Sequence, residues 1–210
     1  MKHFPIIGLA AAAVALSSCS TLGETNAYGV SDYMAVNVKR VSVGDGNLSV
    51  APPRPWNRQR SQYFYDVAAL EDWTLNGPYL DGISFVSGLK NNRTLLYQRR
   101  SENQQVPPFR SNMTPPEIAS MLESLFRVKG GALEYHTLSL QPRQFLGYPG
   151  FQYDYEHLDG DELWRKGRVV GAVIDGRLYM ILVDAARSHY FNEVLPDFEA
   201  IVGSARLRRG

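Results

Sequence analysis

Two apolar runs flank one tight turn near the end of this chain. Val169-Val170-Gly171-Ala172-Val173-Ile174 leads into Asp175-Gly176, and Leu178 to Val183 follows. An Asp-Gly pair suits a two-residue hairpin loop, whose central residues take positive φ. Neither run alternates apolar with polar side chains. A strand with one wet face shows that alternation, so its absence implies strands covered on both faces. A hairpin of this kind needs other elements to cover both of its faces.

Two segments can supply the outer layers. Thr114-Pro115-Pro116-Glu117 opens the first helix: a threonine able to cap the free amides, proline at the first helical position, and a glutamate completing a capping box. Ile118, Met121, Leu122, Leu125 and Phe126 then form one apolar stripe, and Gly130-Gly131 ends it. Ordinary core packing explains that stripe. The second helical pattern runs from about Ser188 to Ser204, with Ser188 as N-cap and Phe191, Leu195, Phe198, Ile201 and Val202 as its apolar face. Pro196 should bend this helix or reset its start.

The remaining segments read as strands. Met34, Val36 and Val38 alternate, then Val41 and Val43 alternate on the other parity, which implies a bulge or a strand end between them. Gly44-Asp45-Gly46-Asn47 is a turn, and Asn47 to Val50 returns. The prolines between Ala51 and Trp56 force an extended connection. Glu71 to Asn76 pairs with Leu80 to Ser87 around Gly77-Pro78, and Ala132 to Leu140 is a further strand. Phe151 to Asp184 reads as a three-stranded meander. With Asp159-Gly160 as a two-residue loop, His157 faces Glu162, Tyr155 faces Trp164 and Asp154 faces Arg165. Gln98 to Met113 is polar, holds Pro107-Pro108 and has no periodicity; loops of that length are usually functional or disordered. Arg99, Arg100 and Arg110 are candidates there for an anionic ligand, against a plain solvated loop.

This order resembles the fold shared by the PsbP proteins of photosystem II and the Mog1 proteins. Three segments carry the likeness: Leu48-Ser49-Val50-Ala51-Pro52 leading to Trp56, the Val169 to Val183 hairpin, and the closing Phe198-Glu199-Ala200-Ile201-Val202-Gly203-Ser204. The resemblance implies an α+β fold in which a mostly antiparallel sheet is flanked by helices, an α/β/α sandwich. No functional residue set of either family is matched, so no site is carried over.

The N-terminus carries an address. Lys2 precedes an apolar run from Ile6 to Leu16, and Leu16-Ser17-Ser18-Cys19 follows, with Cys19 the sole cysteine of the chain. This is the layout of a secretory signal. Its apolar run of about eleven residues is too short to cross a hydrocarbon core, which needs about 20. Leu16 to Cys19 resembles the lipobox of bacterial lipoproteins, in which a peptidase cuts before the cysteine and its sulfur carries lipid such as palmitate. The resemblance implies lipidation of Cys19, and Ser20 is similar to cargo of the outer membrane. The expected organisation is a signal peptide over 1–18, a lipidated tether over 19–27, one domain over 28–207 and a tail over 208–210. The alternatives are an uncleaved anchor helix and a soluble protein cut elsewhere. Cleavage before Cys19 removes Lys2 and no acid, so 22 basic and 21 acidic residues become balanced. A neutral mature chain has no general pull toward nucleic acid. The expected partners are the membrane, through lipid on Cys19, and envelope proteins on the periplasmic side. Arg206-Leu207-Arg208-Arg209 reads as a solvated end.

No HExxH, GxSxG or P-loop pattern is present. A lone cysteine excludes intrachain disulfides and cysteine-ligated zinc. Two local clusters remain. Glu156, His157, Asp159 and Asp161 offer oxygen and imidazole ligands for a cation, against a polar hairpin end in which Asp159-Gly160-Asp161 serves the turn alone. Asp184 with Arg187, Ser188 and His189 offers a hydrolytic constellation, against a strand end and a helix cap. Tyr148, Phe151, Tyr153 and Tyr155, with Trp164 opposite, read as packing beneath a helix rather than as an aromatic cleft. No catalytic, metal or cofactor-binding residue is assigned. The expected function is a membrane-anchored, non-catalytic binding or structural module of the envelope; the alternative is a membrane-tethered hydrolase or metal-dependent enzyme.

Overall fold

In a computed structural model, residues 33–60, 67–98 and 105–208 are described. Cys19, its signal segment and the tether over 19–27 lie outside these residues, as do Arg99, Arg100 and Arg209. The strands are β1 (Tyr33–Val36), β2 (Val41–Val43), β3 (Leu48–Val50), β4 (Trp56–Gln59), β5 (Leu70–Thr74), β6 (Asp81–Leu89), β7 (Glu134–Pro142), β8 (Phe151–Leu158), β9 (Trp164–Ile174), β10 (Arg177–Ala186) and β11 (Arg206–Leu207). The helices are α1 (Pro115–Lys129) and α2 (Tyr190–Ser204). Eight strands form one antiparallel sheet in the order β1-β4-β5-β6-β10-β9-β8-β7, and β11-β3-β2 form a second.

The apolar hairpin sits in the middle of the larger sheet. Arg177 pairs with Ile174, leaving Asp175 and Gly176 as the loop at φ of 49° and 72°. Side chains of β10 divide between two cores, as alternate strand residues must. Leu178, Met180 and Leu182 pack with Ile118, Met121 and Leu122 of α1. Tyr179, Ile181, Val183 and Ala185 pack with Phe191, Val194, Phe198 and Ile201 of α2. The two helices therefore cover opposite faces, and the α/β/α sandwich is present. The small sheet adds Val43, Leu48 and Val50 to the α2-side core.

Local chemistry explains the helix ends. The Glu117 carboxylate accepts the Thr114 backbone N–H at 2.7 Å and the Thr114 hydroxyl at 2.8 Å, which holds its pKa below the usual carboxylate value. The start of α2 differs from expectation. His189 occupies the N-cap position without a side-chain cap, so Ser188 does not cap the helix, and α2 runs through Pro196 without a reset start. The basic tail is also more structured than expected: Arg206 and Leu207 pair with Ser49 and Leu48, and the Arg208 N–H donates to the Asn47 carbonyl at 3.0 Å.

The largest correction concerns the β8–β9 hairpin. Its loop is five residues, 159–163, not two; the Asp159 and Glu162 backbones are bonded across it, and Glu162 takes φ of 63°. The register moves by three residues. His157 faces Arg165, Tyr155 faces Gly167 and Asp154 faces Arg168. An odd shift changes which side chains share a face. In the long loop, Val106 and Phe109 are buried beside α1, and the Phe109 N–H donates to the Arg93 carbonyl while its own carbonyl accepts from the Asn92 N–H. These two side chains anchor its described part to the core, and Arg110 and most of its neighbours are exposed.

Candidate functional site

The corrected register gathers a polar network on the α1 side of the sheet. His157 and Tyr155 come from β8, Arg165 from β9 and Asp184 from β10. Gly167, paired with both Tyr155 and Asp184, makes the room. A Cβ on Gly167 would overlap the Tyr155 ring and hydroxyl. The Tyr155 hydroxyl donates to Asp184 Oδ2 at 2.9 Å, and His157 Nε2 lies 3.0 Å from the same oxygen. His157 Nδ1 lies 2.9 Å from Asp159 Oδ1, out of line for a hydrogen bond. Arg165 Nε donates to Asp159 Oδ2, and its Nη2 donates to the Tyr79 carbonyl.

The network is roofed by rings. Phe126 of α1 lies 4.7 Å from the His157 ring, and Tyr135 of β7 stacks on Tyr155 at 5.2 Å. His157 is 1% exposed. Burial works against a charged imidazole, but the Asp184 hydrogen bond and charge and then the Asp159 charge outweigh burial and the opposing Arg165 charge, and hold the His157 pKa above its usual value. Burial, then the Asp184 charge, pushes the Tyr155 phenol well above its usual value, and Tyr135 moves the same way mainly through burial. His157 lies between two carboxylates, and neither ring nitrogen faces an open space.

Beside this network the sheet face opens into a cavity of about 250 Å³. Gln59, Asp72, Gly82, Ser84, Arg165 and Asp184 line it, drawn from β4, β5, β6, β9 and β10. Asp81 lines it too, but its carboxylate is filled by Thr74, Leu75 and Asn76, which fixes the β5–β6 turn. Among the described lining residues there is no histidine.

The sequence candidates separate. Glu156 points to the opposite face, where it meets Arg187 at 3.1 Å and His136 at 3.6 Å. Asp161 accepts the Leu163 N–H in the turn. Only His157 and Asp159 of that cluster meet, and among the described residues no three His, Cys, Asp or Glu side chains are placed to hold a metal ion. His189 has a 73% exposed side chain beside Glu193 at 3.5 Å, while Asp184 is engaged by His157; the Asp184–His189 constellation does not form. Phe151, Tyr153 and Tyr155 are buried beneath α1, Tyr148 is exposed, and Trp164 lies on the other face under Arg187 at 4.7 Å.

Arg165 is the member that sequence reasoning missed. The available signal is a spacing of four on both strands: Phe151 faces Gly171 and Tyr155 faces Gly167. Aromatic side chains laid over cross-strand glycines fix a register.

No family model matches the sequence, and no curated protein matches it. The solution structure of cyanobacterial PsbP from Synechocystis sp. PCC 6803 superposes with a TM-score of 0.55 at 14% identity, covering 89% of this chain and 99% of that one. The fold is PsbP-like. Lower scores attach to the Ran-binding protein Mog1p of Saccharomyces cerevisiae, 0.49 at 10% identity over 81% of this chain and 95% of that one. LpqN of Mycobacterium tuberculosis, involved in cell envelope biogenesis, scores 0.36 at 9% identity over 89% and 99%. At such identities the PsbP likeness shows a shared fold and no shared chemistry.

Proposed function

We propose that the protein is a lipid-anchored, non-catalytic binding module of a bacterial envelope, held through Cys19 in the outer membrane and facing the periplasm. The observation that supports the non-catalytic reading is the closed state of its best candidate base. His157 is buried, with a carboxylate at each ring nitrogen, so it has no nitrogen to offer a substrate. The signal layout ending at Cys19 supports the anchor, and among the described residues no helix is long and apolar enough to cross a membrane. A tether confines the module to a surface, where weak contacts gain from high local concentration.

Cys19→Ala tests the anchor. Metabolic labelling with a palmitate analogue marks the wild type and not the variant, and the variant leaves the membrane fraction. Labelling and membrane fractionation that persist in Cys19→Ala contradict the proposal.

A further inference from the structure

We propose that the cavity beside Asp184 binds one pyranose ring of a glycan; this rests on the binding-module reading and names its ligand class. The cavity begins where the apolar cover of the α1 side ends. Along β10 that side runs Leu178, Met180, Leu182 and then Asp184; along β6 Val86 gives way to Ser84 and Gly82. These are central strands of the sheet, yet their side chains here turn from apolar to polar.

The decisive geometry is an ion pair with no hydrogen bond across it. Arg165 has 8% side-chain exposure and Asp184 15%. Arg165 commits Nε to Asp159 and Nη2 to Tyr79, and Asp184 commits Oδ2 to Tyr155 and His157. Arg165 Nη1 and Asp184 Oδ1 are left 3.9 Å apart. That is too long for a direct hydrogen bond, and among the described residues neither atom makes another. A single atom that accepts from the guanidinium and donates to the carboxylate closes the gap. An oxygen about 2.8 Å from each subtends an angle of about 90°, close to what a hydroxyl allows. A carboxylate or a phosphodiester accepts but cannot donate to Asp184, and an ammonium donates but cannot accept from Arg165.

The rest of the lining fits a ring bearing several hydroxyls. Ser84 both donates and accepts, and Gln59 offers an amide. The volume is about that of eight waters at bulk density. It lies just below the range of drug-sized pockets, which suits one sugar ring rather than two. Gly82 keeps the floor open: it pairs with Asp184, and a Cβ there meets only ordinary contacts at 3.8 and 3.9 Å. A larger side chain at 82 therefore fills the cavity without forcing the backbone.

Amide and guanidinium NMR of the full mature chain tests this, with methyl α-D-glucopyranoside and N-acetylglucosamine as probes and acetamide as control. At least one sugar is expected to give saturable shifts at Gly82, Ser84, Asp184 and the Arg165 guanidinium. Gly82→Val weakens that binding by about tenfold or more, with spectra on the α2 side unchanged; Ser84→Leu does the same should Gly82→Val fold poorly. Three results overturn the proposal: no saturable shift with either sugar, shifts unaffected by both cavity-filling variants, or shifts with acetamide alone. Bound water alone gives the first of these. None of them touches membrane anchoring, which Cys19→Ala reports separately.

Discussion

A Gly167→Ala variant unfolds at a much lower urea concentration than the wild type, with a loss of about 3 kcal/mol, the upper end for overpacking. One methyl has this effect because Tyr155 has nowhere to go. The added carbon overlaps its ring. The ring is fully buried, with Phe126 at 5.1 Å, Tyr135 at 5.2 Å and Tyr153 at 5.5 Å, and its hydroxyl is held by Asp184. Moving the ring breaks the network, and moving the strand breaks pairing to both β8 and β10. Adding Tyr155→Leu removes the clashing atoms, so the double variant loses less than the sum of the single losses. A Gly167→Ala loss within about 0.5 kcal/mol of zero contradicts the packing described here.

Asp184→Ala is the second large loss, about 3–5 kcal/mol by urea denaturation at neutral pH. Asp184 is shared by His157, the Tyr155 hydroxyl and, at 3.9 Å, Arg165. Its removal leaves Arg165 and the His157 ring with Asp159 as their one carboxylate partner and a buried hydroxyl without its acceptor. The pH dependence identifies the cause. The folded His157 pKa lies above its ordinary 6.5. Its stabilisation is therefore fully present below about pH 6.5 and lost as pH rises through the folded value. That downward slope of stability with pH flattens in Asp184→Ala. A loss below about 1 kcal/mol, as for a surface pair, contradicts a buried network.

Much of the fold is legible in the residues. The unbroken apolar runs around Asp175-Gly176 demand cover on both faces, and the capping box at Thr114 with its stripe to Phe126 supplies one cover. These signals are local, and they agree with the tertiary structure. The hairpin at Asp159 shows where local reading stops. Asp-Gly favours a two-residue loop, but the flanking strands choose register by packing, and laying Phe151 over Gly171 and Tyr155 over Gly167 outweighs the turn preference. The site inherits that difference. His157 and Asp184 are 27 residues apart and meet only because β10 follows β9 at the sheet's centre. Nothing local marks Asp184 as a partner of His157 rather than of His189. The C-terminal strand is equally silent: Arg206 and Leu207 gain their structure from β3, some 150 residues earlier in the chain.

Titration of the His157 ring by NMR tests the account most directly. A locked bridge between Asp184 and Asp159 loses its proton only above 6.5, with both ring nitrogens carrying hydrogen below that point. A ring titrating at or below 6.5 would instead be a free base poised for proton transfer, and would contradict the reading of this network as structural.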